Sequence, residues 1–210
     1  MQAMAEPTTP EHQGAARDLS KMSPAQRDRR RRLIDAAFEL GAEGGYDAVQ
    51  MRDVAATADV ALATIYRLFV SKDHLLAAAL AEWTSRLGER VAQRPPRGDT
   101  AADQMVDLLS RACDAMERQP KLSSALVRAL TSPDAGAVGA SSDLRRSIVS
   151  MGEGILGDLD PEVRVDILAV LGHVWYSNLV SWSNGRSSFD AVRVELERAA
   201  RVLITPYEHV

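Results

Sequence analysis

Gln50–Lys72, QMRDVAATADVALATIYRLFVSK, decides the fold. Met51, Val54, Ala55 and Ala58 recur at helical spacing, which predicts a short helix over 50–57 with one apolar side. Ala55 is small where a second helix must cross closely. Ala58-Asp59-Val60 reads as the turn. A tight helix-to-helix turn needs one residue in the left-handed region, and Asp is among the few side chains other than Gly's that tolerate it. A second helix is predicted over 61–68, with Ile65 and Phe69 (i, i+4) inward and Ala61, Ala63, Thr64 and Arg67 outward. Ser71 is placed to cap a third helix that opens at Lys72. The pattern is a helix-turn-helix, whose second helix fits the DNA major groove. On periodicity alone, it is equally a plain pair of amphipathic helices in a bundle.

The residue types suit DNA. Thr64 and Tyr66 offer hydroxyls to phosphate oxygens, and Lys72 stands at a helix start, where backbone N–H groups also favour phosphate. Arg52 has the fork that matches guanine O6 and N7. Ala61 and Ala63 allow close approach to bases and contact with thymine methyls. Upstream, Arg27-Asp28-Arg29-Arg30-Arg31-Arg32 opens the preceding helix, and a phosphate-neutralising role is expected, with Arg29 and Arg30 as contacts. An arm toward the minor groove is a weaker alternative, and a solvated helix face is the ordinary one.

From Ala55 to Lys72 the chain carries Ala-x-x-x-x-Val-Ala-x-x-Thr-x-Tyr-x-x-Phe-x-x-Lys, which resembles the signature of TetR-family transcriptional regulators. The likeness runs from about Arg29 to Leu80. Asp59 and Ala63 stand where that pattern often has Gly, and Leu68 where it often has an aromatic residue or His. The resemblance implies an all-α protein of about nine helices, with a three-helix DNA-binding head, a larger helical ligand-binding and dimerisation body, and a homodimer on double-stranded operator DNA. By position it implies Arg52, Ala61, Ala63, Thr64, Tyr66 and Lys72 as DNA contacts, and Arg67 joins them on the outward face. The expected division is a disordered tail over 1–23, a head over 24–72 and a body over 73–210.

Bulk properties agree with one or two small domains. The 210 residues carry a net charge of −4, which does not suggest a generic nucleic-acid binder. The charge is uneven: residues 17–97 sum to +3 and residues 98–210 to −5, a mildly basic head on an acidic body. No apolar run approaches the ~20 residues of a membrane span. The first residues lack the charged start and apolar stretch of a signal peptide, so a cytoplasmic location is expected. The single cysteine, Cys113, falls among Leu109 and Met116 and is expected to be a buried structural thiol.

Along the rest of the chain, Leu33, Ile34, Ala37, Phe38 and Gly41 make one face of a helix expected over 29–43, ended by Gly44-Gly45, with Tyr46-Asp47 as loop. A long helix over 72–94 joins head to body until Pro95-Pro96 breaks it. Body helices follow over about 101–119, 120–130 and 141–156, separated by a small-residue loop over 131–140. Asp160-Pro161 caps another helix that runs to about Asn184. It is apolar on more than one side: Val163, Ile167, Val170 and Val174 form one row, and Leu168, Leu171, Trp175, Leu179 and Trp182 another. The last helix, 188–204, shows Phe189, Val192, Leu196, Ala199 and Leu203. The family pairs its last two helices across a two-fold axis, so Val163, Ile167, Val170, Val174, Phe189, Val192, Leu196 and Leu203 are the expected dimer residues.

For an effector, Met105, Leu109, Met116, Met151, Trp175 and Trp182 are expected to line an apolar cavity, with Asn178 and Ser177 as orienting polar groups. Plain core is the competing reading. A closer likeness, carried by RDRRRRLIDAAFELGAEGGYDAVQMRDVA, SKDHLLAAAL and VWYSNLVSW, is to the family's repressors of cholesterol catabolism. It implies a large, flat, apolar effector, a steroid acid carried on coenzyme A. Arg118, Lys121, Arg128, Arg145 and Arg146 are candidates for its acidic end, each otherwise a solvated charge.

Catalysis finds little support. Gly152-Glu153-Gly154-Ile155-Leu156-Gly157 matches GxGxxG literally, yet no strand is predicted before it and no βαβ pattern surrounds it. There is no HExxH, no CxxC and no nucleophile–base pair that would make the body a hydrolase, so no cofactor, no metal and no enzyme activity are expected. His12, His74, His173 and His209 are far apart, and His173 reads as a core histidine. A small-molecule carrier, or the same fold acting as an activator, are the remaining rivals.

Overall fold

A computed structural model describes residues 22–134 and 148–208. Among these the chain is helical, with no strand. The helices are α1 (Pro24–Ala48), α2 (Met51–Thr57), α3 (Leu62–Leu68), α4 (Lys72–Gln93), α5 (Ala101–Glu117), α6 (Pro120–Leu130), α7 (148–153), α8 (Pro161–Ser183) and α9 (Phe189–Ile204), closed by a 3-10 turn at Thr205–Tyr207. The all-α architecture with an N-terminal helix-turn-helix is as the sequence pattern predicts. The expected tail falls almost wholly on residues 1–21, outside the described residues, as do most of the 131–140 loop and the start of the 141–156 helix.

Local chemistry sets the boundaries. α1 begins at Pro24 rather than Arg29, because Ser23 and Gln26 form a reciprocal capping box: Ser23 Oγ accepts from the Gln26 N–H at 3.3 Å, and Gln26 Oε1 accepts from the Ser23 N–H at 2.8 Å. Gly45 does interrupt the helix, at φ 71° and ψ −156°. One further turn follows it to Ala48, so Tyr46-Asp47 is helical rather than loop. Thr100, Asp160 and Ser188 cap α5, α8 and α9 with their side-chain oxygens.

Among the described residues, three apolar clusters form the core. The first joins Leu33, Ile34 and Ala37 of α1 to Val54, Ile65 and Phe69, then to Leu75 and Leu76 of α4. It also takes in Leu122, Leu126 and Ala129 of α6, so the head's core continues into the body. Gly41 is the crossing point of α1 and α6: a Cβ there would lie 2.8 Å from Leu122 Cδ1. The second cluster gathers Met105, Leu108, Leu156, Ile167, Leu168, Leu171, Ala200 and Ile204; the third gathers Cys113, Met116, Val127, Leu179, Phe189, Val192 and Leu196. Gly152, the literal GxGxxG start, is a packing position: a Cβ there would collide with Leu168 Cδ2.

The expected dimer rows need correction. Ile167, Phe189, Val192 and Leu196 are no more than 5 % exposed and belong to the subunit's own core. Val163, Val174 and Leu203 are half-buried flank residues, and of the eight only Val170 is exposed. The large apolar side chains left exposed are Val165, Val170 and Tyr176 on α8, with Val194 and Val202 on α9. An apolar stripe is claimed first by its own core, and the residues beside it are left for a partner. His173 is exposed, with Nδ1 2.7 Å from the Ala169 carbonyl oxygen, and is not a core histidine.

Candidate nucleic-acid interface

The reading unit depends on one turn. The Asp59 N–H donates to the Ala56 carbonyl at 3.1 Å and the Val60 N–H to the Ala55 carbonyl at 2.9 Å, which is a Schellman closure of α2. Such a closure requires a left-handed residue, and Asp59 takes it at φ 50°, the one described non-glycine residue with positive φ. Val60 then tucks against the core and Ala61 caps α3. Ile65 and Phe69 are fully buried, which fixes the rotation of α3 about its axis.

That rotation sends Ala61, Leu62, Ala63, Tyr66 and Arg67 outward, with Thr64 half-buried between the two sides. Leu62 is 44 % and Tyr66 51 % exposed, an apolar and a hydroxyl-bearing side chain one turn apart on the surface. Leu62 was missing from the expected contacts. Its outward position follows from helical spacing to Tyr66, but a leucine reads as core in sequence. Arg52, 85 % exposed, stands at the start of α2 with Nε 3.4 Å from Asp53 Oδ1.

The arginine run divides its labour. Arg27 and Arg31 are exposed, and Arg31 pairs with Asp28 at 2.6 Å. Arg30 lies over the Phe69 ring at 5.7 Å, and Arg29 is half-buried. Arg32 turns inward to the reading unit, donating from Nη1 to the Ala58 carbonyl at 2.8 Å and the Asp59 carbonyl at 3.3 Å.

Lys72, expected at phosphate, makes its contacts to Tyr46 within the protein. Its ammonium donates to the Tyr46 carbonyl at 3.1 Å and sits 3.8 Å from the Tyr46 ring centroid. Partial burial lowers its pKa, against the opposing pull of Asp47 and Asp73. Arg128 of α6 covers the same ring at 3.9 Å, and the Tyr46 hydroxyl donates to Asp73 Oδ1 at 2.6 Å. Burial first, then this hydrogen bond, pushes the Tyr46 phenol up to about 12. The cluster ties the end of α1, the start of α4 and α6 together. Lys121 adds a bond to the Glu43 carbonyl at 2.9 Å. Two of the five cations expected to meet an acidic effector, Lys121 and Arg128, therefore join body to head. Arg118 ends α5, and Arg145 and Arg146 lie outside the described residues.

The α4 start is already capped. Ser71 Oγ accepts from the His74 N–H at 3.0 Å, and His74 Nδ1 accepts from the Val70 N–H at 3.3 Å. Burial lowers the His74 pKa, with Asp134 raising and Arg30 lowering it.

The expected effector residues do not form one wall. Met105 belongs to the second cluster and Met116 to the third, both almost fully buried. Leu109 touches both clusters, Met151 packs on the second, and Trp175 and Trp182 on the third, with Trp182 4.3 Å from the Phe189 ring. Asn178 donates to the Val174 carbonyl of its own helix at 2.9 Å, and Ser177 is exposed rather than interior. Cys113 is the buried thiol expected, its pKa pushed up to about 12 by burial. Among the described residues no cluster of His, Cys, Asp or Glu could hold a metal ion.

Residues 33–79 match the model of bacterial regulatory proteins of the tetR family, and residues 98–203 match that of the tetracyclin repressor-like C-terminal domain. The chain belongs to the TetR family. Among its relatives is the HTH-type transcriptional repressor KstR of Rhodococcus jostii (strain RHA1), 40% identical over 188 residues, which cover 89% of this chain and 87% of that one. A TetR transcriptional regulator from Rhodococcus sp. RHA1 superposes with a TM-score of 0.78 at 28% identity, covering 87% of this chain and 99% of that one. Thermus thermophilus FadR, solved with lauroyl-CoA, shares the fold at a TM-score of 0.67 and 20% identity, over 83% and 92% of the two chains. Placement in this family makes the chain a regulator rather than an enzyme or a carrier.

Proposed function

We propose that this TetR-family protein is a transcriptional repressor that binds a palindromic operator as a two-fold dimer and leaves it when an apolar acyl-CoA occupies the body. The observation that carries the DNA reading is α3: Ala61, Ala63, Tyr66 and Arg67 outward, Ile65 and Phe69 locked inward, behind a turn closed at Asp59. Two copies would present these helices about 34–36 Å apart, one turn of duplex. Val165, Val170 and Tyr176 of α8, with Val194 and Val202 of α9, are the surface that would meet the second copy. Such a protein works in the cytoplasm, on the chromosome.

The effector is a steroid acid carried on coenzyme A. Similarity to KstR over most of the chain supports this, and the shared fold of the lauroyl-CoA complex of FadR is in keeping with it. Ligand must part the second and third clusters, with Met105, Leu109, Met116, Met151, Trp175 and Trp182 as adaptable walls. Because α6 is packed into the head's core, a body opened by ligand shifts the head as well. Release requires only that ligand favour the splayed form by about 1–3 kcal/mol.

The test is fluorescence anisotropy on a duplex selected by the protein from a random pool. Steroid acyl-CoA, lauroyl-CoA and free coenzyme A are added in separate arms. The steroid thioester is expected to weaken binding at least tenfold and free coenzyme A to do nothing. Release by lauroyl-CoA alone would replace the steroid with a fatty acyl chain. Selection of no sequence at all would remove the repressor.

A further inference from the structure

We propose that Arg32 is a positioning residue of the DNA-reading unit, setting the angle between α2 and α3, and not one of the cations that neutralise phosphate. This rests on the operator-binding reading and deepens it. In sequence Arg32 is the last member of a basic run. In the structure its guanidinium reaches 26 and 27 residues along the chain, to the carbonyls of Ala58 and Asp59.

Those two carbonyls accept none of the turn's backbone bonds, which go to Val54, Ala55 and Ala56. The Schellman bonds satisfy Ala55 and Ala56, and α2 is only seven residues long. A helix end without partners for its carbonyls is frayed by water. A cation there also meets the negative end of the helix dipole. Arg32 supplies both. Asp28 backs it from one turn earlier on α1, with Oδ2 3.4 Å from Arg32 Nε.

The turn needs this support because Asp59 sits at φ 50°, where a Cβ is unfavourable. Relaxation of Asp59 toward ordinary φ would rotate α3 against α2. At 1.5 Å per residue α3 is roughly 10 Å long, so a tilt of about 10° carries its far end about 2 Å. That displacement exceeds the tolerance of a hydrogen bond from Tyr66 or Arg67. Phosphate attraction, which is long-ranged, would survive it.

The experiment compares Arg32→Ala, Arg32→Lys, Arg29→Ala and Arg32→Ala/Asp59→Gly in the full chain. Each is titrated against the selected operator duplex and a scrambled duplex of equal length, over a series of salt concentrations. Arg32→Ala is expected to lose about tenfold on operator, the size of one charge-assisted hydrogen bond, with scrambled-DNA affinity and salt slope unchanged. Arg29→Ala is expected to weaken both duplexes alike and to lower the salt slope by about one. Asp59→Gly is expected to restore at least threefold to Arg32→Ala, since Gly holds φ 50° unaided, and Arg32→Lys falls between wild type and Ala. Amide exchange at Asp59 and Val60 speeds up in Arg32→Ala while Leu33 and Ile34 stay protected. Equal loss on both duplexes with a reduced slope, or no rescue by Asp59→Gly, overturns the proposal. If Arg32→Ala does not fold, the Lys variant decides by the same ratio of specific to scrambled affinity. Wild-type protein without preference for any duplex would instead remove the operator reading itself.

Discussion

Tyr46 gives the most direct measure of how the head is fastened to the body. Tyr46→Phe removes only the hydroxyl that donates to Asp73 Oδ1 at 2.6 Å. A hydrogen bond to a charged, part-exposed acceptor contributes about 1 kcal/mol. Tyr46→Leu removes that bond and the ring between Lys72 at 3.8 Å and Arg128 at 3.9 Å. Each cation over a part-exposed ring adds about 0.5–1 kcal/mol, so the Leu variant is expected to lose about 2–3 kcal/mol in all. Urea unfolding followed by circular dichroism reads both, provided the slope is unchanged. An Arg128→Ala cycle with Tyr46→Leu should show coupling of about 0.5–1 kcal/mol. Equal losses for Phe and Leu would show that the ring contributes nothing. A zero coupling with Arg128 would refute the idea that α6 is held to the head through this ring.

Other outcomes follow from the same geometry. Val165→Glu with Tyr176→Glu should leave a folded monomer by light scattering, with operator affinity lowered at least tenfold, since dimers gain from two half-sites; Ile167→Glu, which buries a charge in the core, should fail to fold. His74 has its pKa lowered by burial, so its contribution to stability is complete above its ordinary value near 6.5 and is lost as pH falls through the window below it. Protonation also turns the Nδ1 acceptor for the Val70 N–H into a donor; melting followed across this window should show the loss in wild type and not in His74→Asn. Arg193 bridges Asp114 and Glu117, each at 2.7 Å, and these carboxylates raise its pKa. Arg193→Ala should cost about 1 kcal/mol in urea unfolding, and Arg193→Lys should recover only part of it: a single nitrogen, Nη2, meets both acids, but the shorter ammonium loses the Nη1 contact to Asp190 at 3.3 Å.

Much of the head was legible because its signals are local. Helical spacing placed α2 and α3 to within a residue, and the order Ala58-Asp59-Val60 named the residue that takes the left-handed conformation. The caps at Ser71 and Asp160 were readable for the same reason, since each bonds within its own first turn. The capping box of Ser23 and Gln26 was equally available and went unread behind the more conspicuous arginines.

The amino-acid order by itself determined the helices, their ends, the outward side of α3 and the family. These follow from interactions within about four residues, which the chain carries wherever it goes. Only the tertiary structure decided what distant cations do: that Arg32 holds the turn, that Lys72 and Arg128 grip Tyr46, and that Lys121 ties α6 to α1. It alone separated the stripe that Phe189, Val192 and Leu196 give to their own core from the Val194 and Val202 side left outward. A long charged side chain can serve water, phosphate or a carbonyl with little preference, and an apolar stripe can serve any apolar neighbour. Which partner each obtains is set by what the fold brings within reach.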